Sequence, residues 1–125
     1  MNKEKFEEPK EISVEEAKEK ISQVGGLKFL KDASTEVRAN KEIVFLVVKD
    51  DGFALCFAEQ NLQDDRDIVL QAVAQNGLAL QFASKEIQDD KTIVKVAIKQ
   101  ERIAFKFASL ELQADPEIQE IAFRE

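Results

Sequence analysis

The residues that could do chemistry are carboxylates, lysines and one thiol, because the chain of 125 residues contains no histidine. Without histidine, a Ser-His-Asp arrangement and a His-containing metal site are both excluded within the chain. The single cysteine, Cys56, has no second cysteine for an internal disulfide and no histidine to activate it. We therefore interpret Cys56 as an unreactive, partly exposed thiol and predict a protein that is not an enzyme and holds no cofactor.

Pairs of adjacent aspartates favour either a site for metal or acid–base chemistry, or helix caps. Calcium loops space their oxygen ligands in a D-x-D-x-D-G pattern, which this chain lacks. The second aspartate instead recurs just before a predicted helix, where its side chain can accept hydrogen bonds from free first-turn amides. We therefore favour capping and predict no metal site. The pairs are Asp50-Asp51, Asp64-Asp65 and Asp89-Asp90.

A basic stripe is predicted on one helix, where Lys91, Lys95 and Lys99 follow one another at intervals of four residues. A solvated helix face is the commonest explanation of such a stripe, and a docking surface for an acidic partner is the more specific alternative. The net charge of −7 disfavours binding to nucleic acid or to an anionic membrane surface. No apolar run approaches the roughly 20 residues that a membrane-spanning helix needs.

A repeat with a spacing of 25 residues organises the chain from residue 27 onward. The stretches 52–76 and 77–101 are identical at 12 of 25 positions, which chance does not produce. An alanine and an isoleucine recur in every unit, so we expect them to lie in the core. They are Ala33, Ala58, Ala83 and Ala108, and Ile43, Ile68, Ile93 and Ile118.

Each unit is predicted to contain two short helices. In residues 77–101, Leu80, Ala83 and Ile87 share one face of a first helix, and a second helix follows Asp90. The glycine that opens the unit is predicted to end the preceding helix in a left-handed conformation. Helices of about ten residues are unstable alone, so they must stack. We predict an all-α solenoid of four gapless 25-residue helix-turn-helix repeats, spanning 27–51, 52–76, 77–101 and 102–125.

The N-terminal part is predicted to consist of a mobile charged tail (1–12) and a capping helix (13–26). Ser13 and Glu16 have the spacing of a capping box, and two glycines at 25 and 26 end the helix. We expect the apolar side of this helix to cover the first repeat. Its residues are Val14, Ala17, Ile21 and Val24.

Residues 76–84 (Asn-Gly-Leu-Ala-Leu-Gln-Phe-Ala-Ser), with Asp-Asp-Lys at 89–91 and Ile-Val at 93–94, resemble the repeat of the family called domain of unknown function 4116. Residues 65–73 resemble the second half of the same repeat. The resemblance covers residues 27–125, although the first unit lacks the glycine and the fourth has Arg102 in its place. It implies a tandem helical array, often within a larger protein, without an assigned activity, and no catalytic residue carries over.

The predicted function is a non-enzymatic helical repeat module that binds a protein or peptide. The alternatives are a structural spacer within a larger protein and an enzyme that uses carboxylates alone. We predict a cytoplasmic monomer, since a lone cysteine suits a reducing compartment. Apolar residues at positions that are polar in other units mark the candidate partner surface together with the lysines, although cover by the N-terminal helix is favoured for Phe45. The candidates are Lys91, Lys95, Lys99, Phe45, Leu70 and Leu110.

Overall fold

A computed structural model describes residues 12–124, and every regular element within them is a helix. The predicted all-α class is confirmed. The predicted mobile tail lies outside the described residues except for Ile12, which is half-buried against the core. The chain begins with helices Val14–Val24 (the first helix) and Gly26–Lys31.

Three kinds of helix then alternate along the chain, each recurring at a spacing of 25 residues. The 3₁₀ helices are Gly52–Phe57, Gly77–Phe82 and Arg102–Phe107. The one-turn helices are Thr35–Arg38, Gln60–Gln63, Lys85–Gln88 and Leu110–Gln113. The long helices are Lys41–Val48, Arg66–Gln75, Lys91–Gln100 and Pro116–Phe123.

The prediction of one continuous first helix in each unit is wrong. The chain is extended at Ala83 (φ −77°, ψ 159°), and a one-turn helix then begins. The hydroxyl of Ser84 caps this new helix by accepting a hydrogen bond from the amide of Ile87 at 3.2 Å. The apolar spacing of Leu80, Ala83 and Ile87 fits an unbroken helix, but the serine cap restarts the chain. Ala83 is consequently only half-buried.

The long helices lie side by side, and each 3₁₀ helix packs against the long helix of its own unit and that of the preceding unit. The core forms where these layers meet. The recurring isoleucines of the long helices are all fully buried, as predicted, and the valines that follow them in the first three long helices are buried too. These residues are Ile43, Ile68, Ile93 and Ile118, with Val44, Val69 and Val94.

The first helix packs on the start of the array, against the helix Gly26–Lys31 and the first long helix. The predicted capping box is confirmed, because Ser13 Oγ accepts from the amide of Glu16 and Glu16 Oε1 accepts from the amide of Ser13, both at 3.0 Å. Gly25 ends the helix with φ of 90°. Ala17 is fully buried, and Val14 and Ile21 are half-buried against the core. The expectation that Val24 also packs there is wrong, since 48% of it is exposed.

The predicted left-handed conformation of Gly52 and Gly77 is also wrong. Among residues 12–124 only Gly25 has a positive φ. A Cβ atom on Gly52 would overlap the carbonyl oxygen of Ala72, and one on Gly77 would overlap that of Ala97. These glycines therefore let the start of a 3₁₀ helix contact the backbone of the long helix in its own unit.

We predict that Gly77→Ala destabilises the protein by about 1–3 kcal/mol or more, because the new methyl group meets a backbone atom that cannot rotate away. Urea-induced unfolding followed by circular dichroism measures the effect. Arg102→Ala is the matched control, since Arg102 occupies the same position in the fourth unit and already carries a Cβ atom. Equal urea midpoints for the two variants would contradict the close contact at Gly77.

Candidate functional site

Two rows of side chains run across the outer surface of the long helices. Residues 45, 70, 95 and 120 occupy equivalent positions, and because neighbouring long helices pack side by side, these positions form one row. In this row Phe45, Leu70 and Lys95 are half-buried, and the first two pack against the core. The adjacent row is half-buried as well. We call the two rows the long-helix face; its residues are Phe45, Leu70, Lys95 and Glu120, with Leu46, Gln71, Val96 and Ile121.

An ion-pair ladder borders this face at the N-terminal ends of the long helices. In each step, the first residue of one long helix pairs with the aspartate that caps the next. Arg66 Nε lies 2.6 Å from Asp90 Oδ2. The other steps join Lys41 to Asp65 and Asp67 (both 3.1 Å), and Lys91 to Asp115 (3.1 Å) and Glu117 (2.9 Å).

The aspartates of the ladder also cap their own helices, which confirms the capping interpretation. Asp90 Oδ1 accepts a hydrogen bond from the amide of Ile93 at 3.1 Å. Asp65 and Asp115 accept from two first-turn amides each. The same carboxylate thus satisfies a helix terminus within its unit and holds the cation of the preceding unit.

The pKa values of these carboxyl groups reflect their partners. The Arg66 side chain lowers the pKa of Asp90, with the amide of Ile93 adding to the effect against burial. Burial alone raises the pKa of Asp65, but hydrogen bonds from its first-turn amides and from Lys41 bring it below the ordinary value. Hydrogen bonds from lysines lower the pKa of Asp115 and of Glu117 in the same way.

The predicted basic stripe is divided between two environments. Lys91 belongs to the ion-pair ladder, and Lys95 Nζ lies 2.7 Å from Glu117 Oε2. Lys99 is exposed and forms no ion pair with residues 12–124. Lys49 and Arg124 occupy the equivalent position in the first and fourth units and are likewise exposed without an ion pair in that range. We call Lys49, Lys99 and Arg124 the cationic edge.

The predicted apolar candidates Phe45, Leu70 and Leu110 do not form one surface. Phe45 and Leu70 occupy equivalent positions on adjacent long helices, whereas Leu110 begins a one-turn helix elsewhere on the surface and is 82% exposed. Cover of Phe45 by the first helix stays a prediction. Sequence reasoning missed Lys49, although its position four residues after Phe45 was a usable signal, as it is for Lys95 and Lys99.

The model of one protein family, the domain of unknown function DUF4116, matches residues 40–88 and 65–113. The two matches begin 25 residues apart and together cover 74 of the 125 residues. The chain belongs to this family. No curated protein and no solved structure matches the chain.

In this DUF4116 protein the two matched segments contain Phe45, Leu70 and Lys95 of the long-helix face and Lys99 of the cationic edge. No helix within residues 12–124 is long and apolar enough to cross a membrane. The same residues contain no group of three or more cysteine, aspartate or glutamate side chains placed to hold a metal ion.

Cys56 lies half-buried in the first 3₁₀ helix, which confirms the predicted partial exposure. Burial raises the pKa of its thiol, and the nearby carboxylate of Asp51 raises it further. Both effects disfavour the thiolate, which is the nucleophilic form.

We predict that the ion-pair ladder contributes its full stabilisation above about pH 4 and progressively less as the pH falls below that value. A carboxyl group whose pKa is lowered by folding contributes stability above its unfolded pKa, and that contribution disappears as the pH falls through the folded value. Arg66→Gln should therefore lower the urea midpoint at pH 7 and leave it nearly unchanged at pH 2. Lys85→Gln, an exposed lysine without an ion pair in residues 12–124, is the control and should have no effect at either pH.

We predict that Cys56 reacts with iodoacetamide more slowly in the folded protein than in urea, because burial raises the pKa of the thiol. The measurement is the alkylation rate between pH 7 and 10, with mass spectrometry as the readout. The rate should rise with pH along a curve displaced toward higher pH than that of the unfolded chain. Identical curves would show that the thiol is fully solvated.

Proposed function

We propose that the protein is an α-solenoid of four gapless 25-residue repeats, 27–51, 52–76, 77–101 and 102–125, with residues 13–26 as a capping helix. The 25-residue recurrence of the helix bounds supports this arrangement. The ion-pair ladder supports it too, because each step joins one unit to the next. A solenoid presents a continuous surface across its units, and such surfaces serve as binding sites.

The proposed function is the binding of a protein or peptide on the long-helix face, without catalysis. The observation that carries it is the placement of Phe45 and Leu70, two large apolar side chains that occupy equivalent positions on adjacent packed helices and are each partly exposed. Contiguous apolar surface bordered by charges is typical of interaction sites. The partner is proposed to carry apolar side chains that cover this pair.

The charged residues at the two borders of the long-helix face further restrict the chemistry of the proposed partner. The ion-pair ladder leaves one border of the face electrically balanced, whereas the cationic edge at the other border has three exposed cations without ion pairs in residues 12–124. These cations stand out on a chain of net charge −7. A partner segment that combines apolar residues with nearby carboxylates complements both features.

The lowered pKa values of several carboxyl groups support a non-enzymatic role. A carboxyl group that acts as a general acid near neutral pH needs a raised pKa, whereas those of Asp32, Asp65, Asp90, Asp115 and Glu117 are all lowered. The carboxylate-only enzyme therefore has less support than a binding module. We propose that the protein works as a cytoplasmic monomer and that nucleic acid and membranes are not its partners, because its net charge is negative.

Affinity capture with the purified wild-type protein, followed by titration of the captured partner, tests this proposal. Lys99→Glu should weaken binding about tenfold or more, which corresponds to at least about 1.4 kcal/mol, and Leu70→Glu should weaken it further. Lys85→Glu makes the same charge change on a one-turn helix and should leave the affinity unchanged. Circular dichroism verifies that each variant is folded.

Two results would contradict the proposed site. Loss of binding in Leu110→Glu, with Leu70→Glu unaffected, would place the partner on the one-turn helices. Failure of any captured protein to bind saturably at equilibrium would favour a structural spacer.

A further inference from the structure

The 3₁₀ helices present an apolar surface on the side that faces away from the core. Ala54 and Leu55 of the first 3₁₀ helix are fully buried, whereas Phe53 beside them is 41% exposed. In the third 3₁₀ helix the equivalent residue, Ile103, is 57% exposed. We call this surface the 3₁₀ face; its residues are Phe53, Leu78 and Ile103, with the half-buried Phe57, Phe82 and Phe107.

The 3₁₀ face crosses from one unit to the next. The helix Gly26–Lys31 and the three 3₁₀ helices pack against one another in chain order. The ring of Phe53 meets the ring of Phe82 in the next unit edge to face, with centroids 4.9 Å apart and ring planes at 88°. Leu78 and Phe107 occupy the equivalent positions one unit later and are apolar too. Contiguous apolar surface of this kind is typical of interaction sites.

Cations lie at both ends of the 3₁₀ face. Residues three apart lie above one another in a 3₁₀ helix and share a face in an α-helix, so the outward side of each helix carries a second residue three positions later. In the two central units this residue is Cys56 or Gln81, and in the two outer units it is Lys31 or Lys106. Both lysines are exposed and form no ion pair with any residue that the structure describes.

Neighbouring carboxylates do not balance these cations. In the first unit Asp32 pairs with Lys28 at 2.9 Å, which leaves the second lysine of that helix without an ion pair in the described part of the chain. On the third 3₁₀ helix two cations, Arg102 and Lys106, follow the carboxylate of Glu101. A chain of net charge −7 thus places an excess of cations at both ends of an apolar surface. A partner with apolar residues between two acidic ends complements this pattern.

The form of the occupant follows from the elements that build the face. Because every regular element within residues 12–124 is a helix, the face offers no strand edge to which a partner strand could be added. An amphipathic helix instead satisfies its own backbone and lays one apolar stripe on such a surface. Four helices packed about 8–10 Å apart span about 24–30 Å from the first axis to the fourth. A partner helix of about 16–20 residues has that length.

We propose that the 3₁₀ face binds an amphipathic helix of a partner protein, with the apolar stripe of that helix over Phe53 and Ile103. Carboxylates at one end of the partner helix pair with Lys31, and those at the other end pair with Arg102 and Lys106. This site is separate from the long-helix face and does not depend on it. The array then has two binding surfaces of different chemistry.

Binding of a synthetic peptide to the full-length protein tests this proposal. The probe is a labelled helical peptide of about 18 residues with a leucine stripe on one side and two glutamates at each end. Fluorescence anisotropy should show saturable binding, and the same peptide with lysines at its ends should bind at least about tenfold more weakly. Saturating probe should also slow the alkylation of Cys56, which lies on the same side of its helix as Phe53.

Variants locate the probe on the 3₁₀ face. Ile103→Glu should weaken binding about tenfold or more, because it places a charge within the apolar surface and opposite the glutamates of the probe. Lys31→Glu combined with Lys106→Glu should remove the preference for glutamate ends. Leu110→Glu, the same kind of change on the one-turn helix of the same unit, is the control, and Leu70→Glu on the long-helix face should have no effect either. Circular dichroism verifies that each variant is folded.

Three outcomes would overturn the proposal. The first is the absence of saturable peptide binding, or equal losses in Ile103→Glu and Leu110→Glu. The second is binding to phosphatidylserine vesicles that Ile103→Glu abolishes, which would make the 3₁₀ face a membrane contact. The third is dimerisation in sedimentation velocity that Ile103→Glu abolishes, which would make a second copy of the chain the occupant. None of these results changes the effect expected of Lys99→Glu, so failure here is distinguishable from failure of the long-helix face.

Discussion

Contact between successive units is the constraint on which the rest of the structure depends. The longest helix within residues 12–124 has 11 residues, and helices of that length do not persist alone in water. The first three long helices are stabilised because their isoleucine and valine are covered by elements of the next unit and of their own.

A close backbone contact at two glycines and the capping aspartates fix how the helices pack. The glycines at the start of the second and third units let a 3₁₀ helix contact the carbonyl oxygen of an alanine in the long helix of the same unit. The capping aspartates act between units, because each accepts amide hydrogen bonds from its own helix and the cation of the previous one. One side chain thus serves local and long-range structure, so its loss affects both.

The same construction explains where a partner surface can exist. The positions buried between units are apolar, whereas the outer surface of the long helices carries both apolar and charged side chains. Phe45 and Leu70 are apolar at this position, whereas the equivalent Lys95 is charged and lies 2.7 Å from Glu117 in the next unit. In the proposed binding mode, the cations along one edge and the balanced ion pairs along the other favour one orientation of the bound segment.

The sequence by itself determined the helical class, the buried isoleucines and the capping roles of Asp65, Asp90 and Asp115, because these follow from periodicity and from contacts within one turn. It also gave the family. Tertiary structure alone decided the break at Ala83, the reason for Gly77 and the ion pairs of Lys91. The contacts of Gly77 and Lys91 involve atoms about 20 to 26 residues away. The break at Ala83 is a choice between two local structures that the same apolar spacing permits.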